Sequence, residues 1–166
     1  MEISQSSDAE YMQLALEEAQ LAAHADEVPI GAVVVRDGQV IARSRNTREG
    51  DRNPAGHAEF NAMLEAAAGL DAWRLSGCTV YVTLEPCIMC AGLMQQARID
   101  RCVYGAPDPK GGALGSLYAI DRDDRLNHTF DVEAGVLEEE CAQLLKEFFA
   151  EKRERNKMMK KKDARS

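Results

Sequence analysis

Hydrophobic residues along this chain recur with two periods, one typical of helices and one typical of strands. Met12, Leu16 and Ala19 are spaced as neighbours on one helical face. Short runs rich in valine and isoleucine predict strands, and Asp37-Gly38 between the first two runs predicts a hairpin turn. We therefore expect helices at residues 8–25, 56–68, 86–97 and 136–158. We expect strands at residues 30–35, 40–42, 79–83 and 102–105, with a short edge strand at 130–132.

The order of these elements indicates the fold class. A helix and a hairpin followed by alternating helices and strands are typical of an α/β protein, here a three-layer α/β/α sandwich with a mixed sheet of roughly five strands. Ser7 or Asp8 is expected to cap the first helix, and Pro86 to open the third. The length of 166 residues suits one domain, assigned to residues 1–150, with residues 151–166 as a basic C-terminal extension.

Charge is unevenly distributed along the chain. The formal net charge is −8, yet residues 151–166 contain eight basic and three acidic residues. An acidic body with a short basic end is not typical of a protein that coats nucleic acid, although this end can make a local contact with RNA or remain a solvated helix end. No apolar run approaches the roughly 18 residues that cross a bilayer. Residues 1–10 lack the pattern of a signal peptide, so we expect a cytoplasmic protein without a membrane segment.

Two of the five cysteines, Cys87 and Cys90, form a Cys-x-x-Cys pair at the expected start of a helix. Residues three apart share a helix face, and a helix N-terminus stabilises the thiolates that bind zinc. His57 lies at the expected start of another helix. These three residues are ligands of the kind that tetrahedral zinc takes, and they leave a fourth position open for water. The other cysteines are expected to be small buried apolar residues.

Glu59 stands two residues after His57 and is not needed as a metal ligand. Zinc lowers the pKa of a bound water to about 7, and a neighbouring carboxylate is placed to transfer its protons. The complete pattern, H-x-E followed by P-C-x-x-C, is the signature of zinc-dependent base deaminases. We therefore predict Glu59 as the catalytic residue, and His57, Cys87 and Cys90 as the ligands of one Zn²⁺ per subunit.

Longer segments around these residues resemble the cytidine deaminase-like superfamily and, within it, the bacterial tRNA-specific adenosine deaminases. The resemblance extends from residue 9 to residue 149 and is strongest in residues 28–33, 81–92 and 105–116. It implies hydrolytic deamination of adenosine to inosine at the wobble position of a tRNA anticodon loop, whose bases leave the stack at low cost. It also implies that Glu59 moves the protons and that the enzyme is a homodimer.

The same resemblance implies five substrate contacts. Asn46 would bind the base through an amide that both donates and accepts, or alternatively cap a loop. Asp108 would contact the ribose of a neighbouring nucleotide, or form an Asx turn between two prolines. Lys110 would contact phosphate or be solvated, and Phe149 would stack on a loop base or belong to the core. The backbone amide of Ala58 would stabilise the reacting oxygen.

Two other functions remain open at the level of the sequence. A deaminase of a free base or nucleoside, such as guanine or cytosine, would carry the same zinc signature. Such an enzyme would not require the loop at residues 108–116 or the basic extension. A non-catalytic zinc-stabilised binding module would need a fourth protein ligand and would have no use for the free carboxylate of Glu59.

Overall fold

The computed structural model describes residues 5–165, with side chains from Asp8 onward. The helices are α1 (Gln5–His24), α2 (Ala58–Leu70), α3 (Ile88–Ala97) and α4 (Glu138–Asp163). The strands are β1 (Gly31–Arg36), β2 (Gln39–Arg45), β3 (Cys78–Leu84), β4 (Arg101–Ala106) and β5 (Asp131–Ala134). A short 3-10 helix, Ile120–Arg122, lies between β4 and β5.

The five strands form one mixed sheet in the order β2-β1-β3-β4-β5. β1 pairs antiparallel with β2 and β3, whereas β4 pairs parallel with β3 and β5. The hairpin between β1 and β2 turns through Asp37 and Gly38, whose φ angles of 52° and 74° match the turn that follows the twist of the strands. The predicted mixed sheet, hairpin and edge strand are confirmed.

Helices cover both faces of the sheet. Met63 of α2 and Met94 of α3 are fully buried and pack with Val34 and Val80 on one face. On the other face, Met12 and Leu16 of α1 and Cys141 of α4 pack with Val33 and Val103. Because neighbouring strand residues point to opposite faces, a strand covered on both sides reads as an unbroken apolar run. This explains the continuous burial of residues 31–35 and confirms the three-layer α/β/α sandwich.

Several helix boundaries differ from the sequence prediction. α1 already includes Gln5, so the expected cap at Ser7 or Asp8 is wrong, and both residues lie inside the helix. α3 begins at Ile88 with Cys87 as its N-cap, so Pro86 precedes the helix rather than opening it. α4 continues without a break through residues 151–163, and the domain boundary at residue 150 stays a prediction.

Sheet topology brings several loops to one edge. β3 and β4 are parallel, so the segment entering α3 and the loop after β4 leave the sheet at the same edge. Ala113 N donates a hydrogen bond of 2.8 Å to Pro86 O, which joins these two segments directly. None of the helices between residues 5 and 165 is long and apolar enough to cross a membrane.

Candidate active site

Three side chains that can bind a metal converge where α2 and α3 begin. His57 and Cys87 are the extended N-caps of the two helices, and Cys90 lies in the first turn of α3. His57 Nδ1 lies 3.6 Å from Cys87 Sγ and 3.5 Å from Cys90 Sγ. Tetrahedral zinc, with bonds of about 2.3 Å to sulfur and about 2.0 Å to nitrogen, separates such ligands by about 3.5 Å. The three donors therefore fit zinc in both chemistry and spacing.

The local electrostatics favour a thiolate at this cluster. A hydrogen bond from Cys90 lowers the pKa of Cys87, and the contact with His57 lowers it further. Cys90 donates that hydrogen bond and is buried, so its own pKa is raised. The hydrogen bond with Cys87 raises the pKa of His57. One thiolate is thus stabilised by the cluster itself, and a bound divalent cation would ionise the second thiol.

Glu59 lies in the first turn of α2, beside the metal-binding cluster, and is only 4% exposed. Burial raises the pKa of Glu59 to about 7, although a hydrogen bond from its own backbone amide and the charge of His57 oppose this shift. A carboxyl group that titrates near neutral pH can both accept and donate a proton. Its place next to the cluster, but outside it, agrees with the predicted role in proton transfer.

A cavity of about 250 Å³ opens directly onto this cluster. Glu59, Asn46, Asp108 and Phe149 line it, so four of the predicted site residues share one cavity with two of the predicted ligands. The full lining consists of Val28, Ile30, Asn46, Arg48, His57, Glu59, Leu84, Glu85, Cys87, Asp108 and Phe149.

Two other predicted contacts do not line the cavity. Lys110 is exposed and lies outside the wall, and its backbone amide donates to Asp108 Oδ1 at 3.1 Å. Ala58 is buried as the first residue of α2, where backbone amides have no acceptor within the helix. Their roles in substrate binding stay predictions.

Asn46 is held in a loop that a buried carboxylate anchors. Its Nδ2 donates to Val28 O at 3.4 Å, and its Oδ1 accepts from Arg48 N at 3.2 Å. Glu27, 4% exposed, accepts from the backbone amides of Glu49 and Gly50 at 3.0 and 2.7 Å. Asn46 therefore caps this loop and lines the cavity at once, so the two interpretations of this residue are compatible.

Asp108 likewise stabilises a turn while it lines the cavity. Its Oδ1 accepts from the amides of Lys110 and Gly111, both at 3.1 Å, which is the expected Asx turn. Its own amide donates to Glu85 Oε1 at 3.0 Å. Burial opposes ionisation of Glu85, but hydrogen bonds from Ser116 and from three backbone amides hold its pKa below the usual range.

Sequence reasoning assigned no role to Arg48, Glu85 or Glu27. Arg48 stands in a polar loop without a distinguishing pattern, and Glu85 appears only as part of the longer resemblance. The sequence did contain one signal for Glu85. It is a charged residue placed directly between an apolar strand and Pro86. Its partners are 23 to 31 residues away along the chain, which no local pattern reports.

The helices on both faces of a mixed five-stranded sheet, with a His-Cys-Cys cluster and a buried glutamate at one edge, define a cytidine deaminase-like protein. Residues 6–153 match the family described as MafB19-like deaminase. A tRNA-specific adenosine deaminase of Bacillus subtilis is 47% identical over 156 residues, which cover 94% of this chain and 97% of that protein.

Solved structures give the same result. A structure from work on tRNA:A34 deaminases, which edit A to I at the wobble position of transfer RNA, is 47% identical with a TM-score of 0.79 and covers 82% of this chain and 99% of the other. A guanine deaminase from Nitrosomonas europaea is 27% identical with a TM-score of 0.73, covering 86% and 84%. The chain belongs to the family of tRNA-specific adenosine deaminases, as its resemblance predicted.

Proposed function

We propose that this protein is a zinc-dependent enzyme that converts adenosine to inosine at the wobble position of a tRNA anticodon loop. The observation that carries the proposal is the joint lining of one cavity by His57, Cys87 and the buried Glu59, with Cys90 completing the metal-binding set. The relatives at 47% identity support the substrate class.

His57, Cys87 and Cys90 would hold the metal, and zinc bound there would supply an activated water for attack on the base. Glu59 would take one proton from that water and deliver it to a ring nitrogen of adenine. It would then pass the second proton, from the hydroxyl that has added to the base, to the amino group, which leaves as ammonia. The low exposure of Glu59 keeps bulk water from competing for these transfers. The backbone amide of Ala58 lies at the helix start and would donate to the oxygen on which negative charge develops.

Asn46, Asp108 and Phe149 would bind the RNA. Asn46 presents an amide to the cavity, and a purine edge both accepts and donates hydrogen bonds. Phe149 is 40% exposed and offers a ring on which a base of a single-stranded loop can stack. Asp108 would contact the ribose of a flanking nucleotide, and Lys110, which is exposed near it, would contact phosphate.

Two partner assignments extend this proposal. α4 continues from Phe149 into the basic end of the chain, which supports contact between residues 151–163 and the anticodon stem. The exposed side chains of Leu64 and Trp73 flank an apolar groove between α2 and α3, which supports burial against a second copy in a homodimer. A tRNA substrate would also agree with the expected cytoplasmic location.

The proposal is tested by measuring inosine at the wobble position of an anticodon stem-loop that carries the sequence ACG. The zinc-loaded protein should convert the adenosine, and Glu59→Ala at equal zinc content should not. Absence of conversion by the folded, zinc-loaded protein would refute the tRNA assignment. The guanine deaminase among the similar structures makes guanine the next substrate to test, followed by cytosine.

A further inference from the structure

We propose that Glu85 is a positioning residue whose buried carboxylate sets the conformation of residues 106–116 and thereby holds Asp108 in the cavity wall. The inference rests on the proposed function, because Asp108 is assigned there to the RNA. Glu85 itself would touch no reacting atom, and it would act through the loop.

The hydrogen bonds around Glu85 carry this inference. Oε1 accepts from the backbone amide of Asp108 at 3.0 Å and from the hydroxyl of Ser116. Oε2 accepts from the amides of Leu114 and Ser116, both at 3.1 Å. The side chain is only 2% exposed, and each oxygen already has two donors. Its acceptor capacity is therefore engaged by the loop, although the residue borders the cavity.

The loop passes unusually close to this carboxylate at Gly112. A Cβ added to Gly112 would overlap the carboxyl group of Glu85, so only glycine allows the backbone to approach so closely. Gly112 also forms an isolated antiparallel bridge with Cys87. The loop is thus built directly onto the segment that carries a predicted metal ligand, and Glu85 belongs to this segment, two residues before Cys87.

Replacing the carboxylate by an amide should loosen one end of the loop selectively. The groups around Oε2 are both backbone N–H donors and cannot accept a hydrogen bond. The hydroxyl of Ser116 next to Oε1 can rotate and accept instead. The amide nitrogen of Glu85→Gln would therefore take the Oε1 position, where the N–H of Asp108 would lose its acceptor.

The experiment compares Glu85→Gln with the matched control Asp8→Asn. Asp8 is also a buried carboxylate, but its partners are Tyr81 and Arg101 rather than the loop, so its variant reports the general cost of losing a buried charge. Hydrogen exchange of the amides in residues 106–116 is measured by mass spectrometry, together with zinc content. The kcat and KM are measured separately for wobble deamination of the anticodon stem-loop.

We expect exchange in residues 106–116 to be about tenfold faster in Glu85→Gln. It should be unchanged in Asp8→Asn, because loop amides exchange through local opening and this variant lowers only the global stability. We expect kcat/KM to fall by about 10- to 100-fold, mainly through a higher KM, at unchanged zinc content. A variant that is merely less folded would lower the apparent kcat through its smaller active fraction and leave KM unchanged. Unchanged loop exchange, or faster exchange with wild-type kcat and KM, would overturn the inference.

A second pair of variants keeps the inference testable if Glu85→Gln does not fold. Gly112→Ala pushes the carboxylate away without removing it, and should reproduce the faster loop exchange and the higher KM. Gly69→Ala, in α2, adds a methyl group into open space and should behave like wild type. Wild-type KM in Gly112→Ala would refute the role of this contact. An inactive wild-type protein would instead refute the proposed function, and the role in RNA binding would fall with it.

Discussion

Asp8→Asn should destabilise the fold through the ionic network that joins α1 to the sheet. The Asp8 carboxylate accepts hydrogen bonds from Arg101 Nη1 at 2.9 Å and Nη2 at 2.7 Å, and from the Tyr81 hydroxyl at 2.7 Å. The Asp8 side chain is 11% exposed and that of Arg101 is 23% exposed, so solvent screens this pair only partly. An amide in place of this carboxylate accepts through one oxygen and leaves the guanidinium without its ionic partner.

The size of the effect follows from these contacts. A hydrogen bond to a charged group contributes about 1.5–3 kcal/mol, and breaking a fully buried ion pair costs about 3–5 kcal/mol. Because Arg101 keeps some access to water, we expect a loss of about 2–3 kcal/mol in the free energy of unfolding. For a chain of this length, such a loss lowers the Tm by about 4–12 °C.

The pH dependence provides the stricter test. The hydrogen bonds from Arg101 hold the pKa of Asp8 below its usual value, despite the opposing effect of burial. The stabilisation is therefore fully present above the unfolded-state pKa of about 4 and is lost as the pH falls through the folded-state value. The amide that Asp8→Asn introduces does not titrate, so the difference in unfolding free energy between wild type and variant should shrink on acidification.

Urea unfolding followed by far-UV circular dichroism, at about pH 7 and about pH 3.5, measures this difference. Glu17→Gln serves as the control, because Glu17 is 51% exposed in its ion pair with Arg43 and should change stability by less than about 0.5 kcal/mol. A loss of unfolding free energy in Asp8→Asn as small as that in Glu17→Gln at neutral pH would contradict this prediction. A loss that stays constant on acidification would contradict it equally.

Three further predictions concern the site and the basic end of the chain. Glu59→Ala should retain zinc, measured by elemental analysis, and lose about 100-fold or more in kcat, because the carboxylate transfers protons without binding metal; loss of zinc would contradict this role. Cys87→Ala should lose both zinc and activity, and full zinc retention would mean that the ligand set is wrong. Replacing Lys160, Lys161 and Lys162 by glutamine should weaken stem-loop binding and reduce the dependence of log K on log salt by up to about 2, with zinc content unchanged. Unchanged RNA affinity would identify these lysines as a solvated helix end.

The sequence by itself determined the features that depend on near neighbours. The period of apolar residues and the Asp37-Gly38 turn predicted the helices, the hairpin and the layered sheet. The spacing of Cys87 and Cys90, with Pro86 before them and Glu59 two residues after His57, predicted the chemistry of the site. These patterns are visible because a helix or turn places residues a few positions apart into fixed proximity.

Only the tertiary structure decided which distant residues meet. Ser7 or Asp8 was expected to cap α1, but the sheet brings Arg101, 93 residues away, to the carboxylate of Asp8. Glu27 and Glu85 carried no assigned role, although each holds a loop of the cavity through backbone amides more than 20 residues away. A buried carboxylate requires donors from wherever the fold supplies them. The partners of such groups are therefore set by strand order and loop path, which the spacing of residues along the chain does not encode.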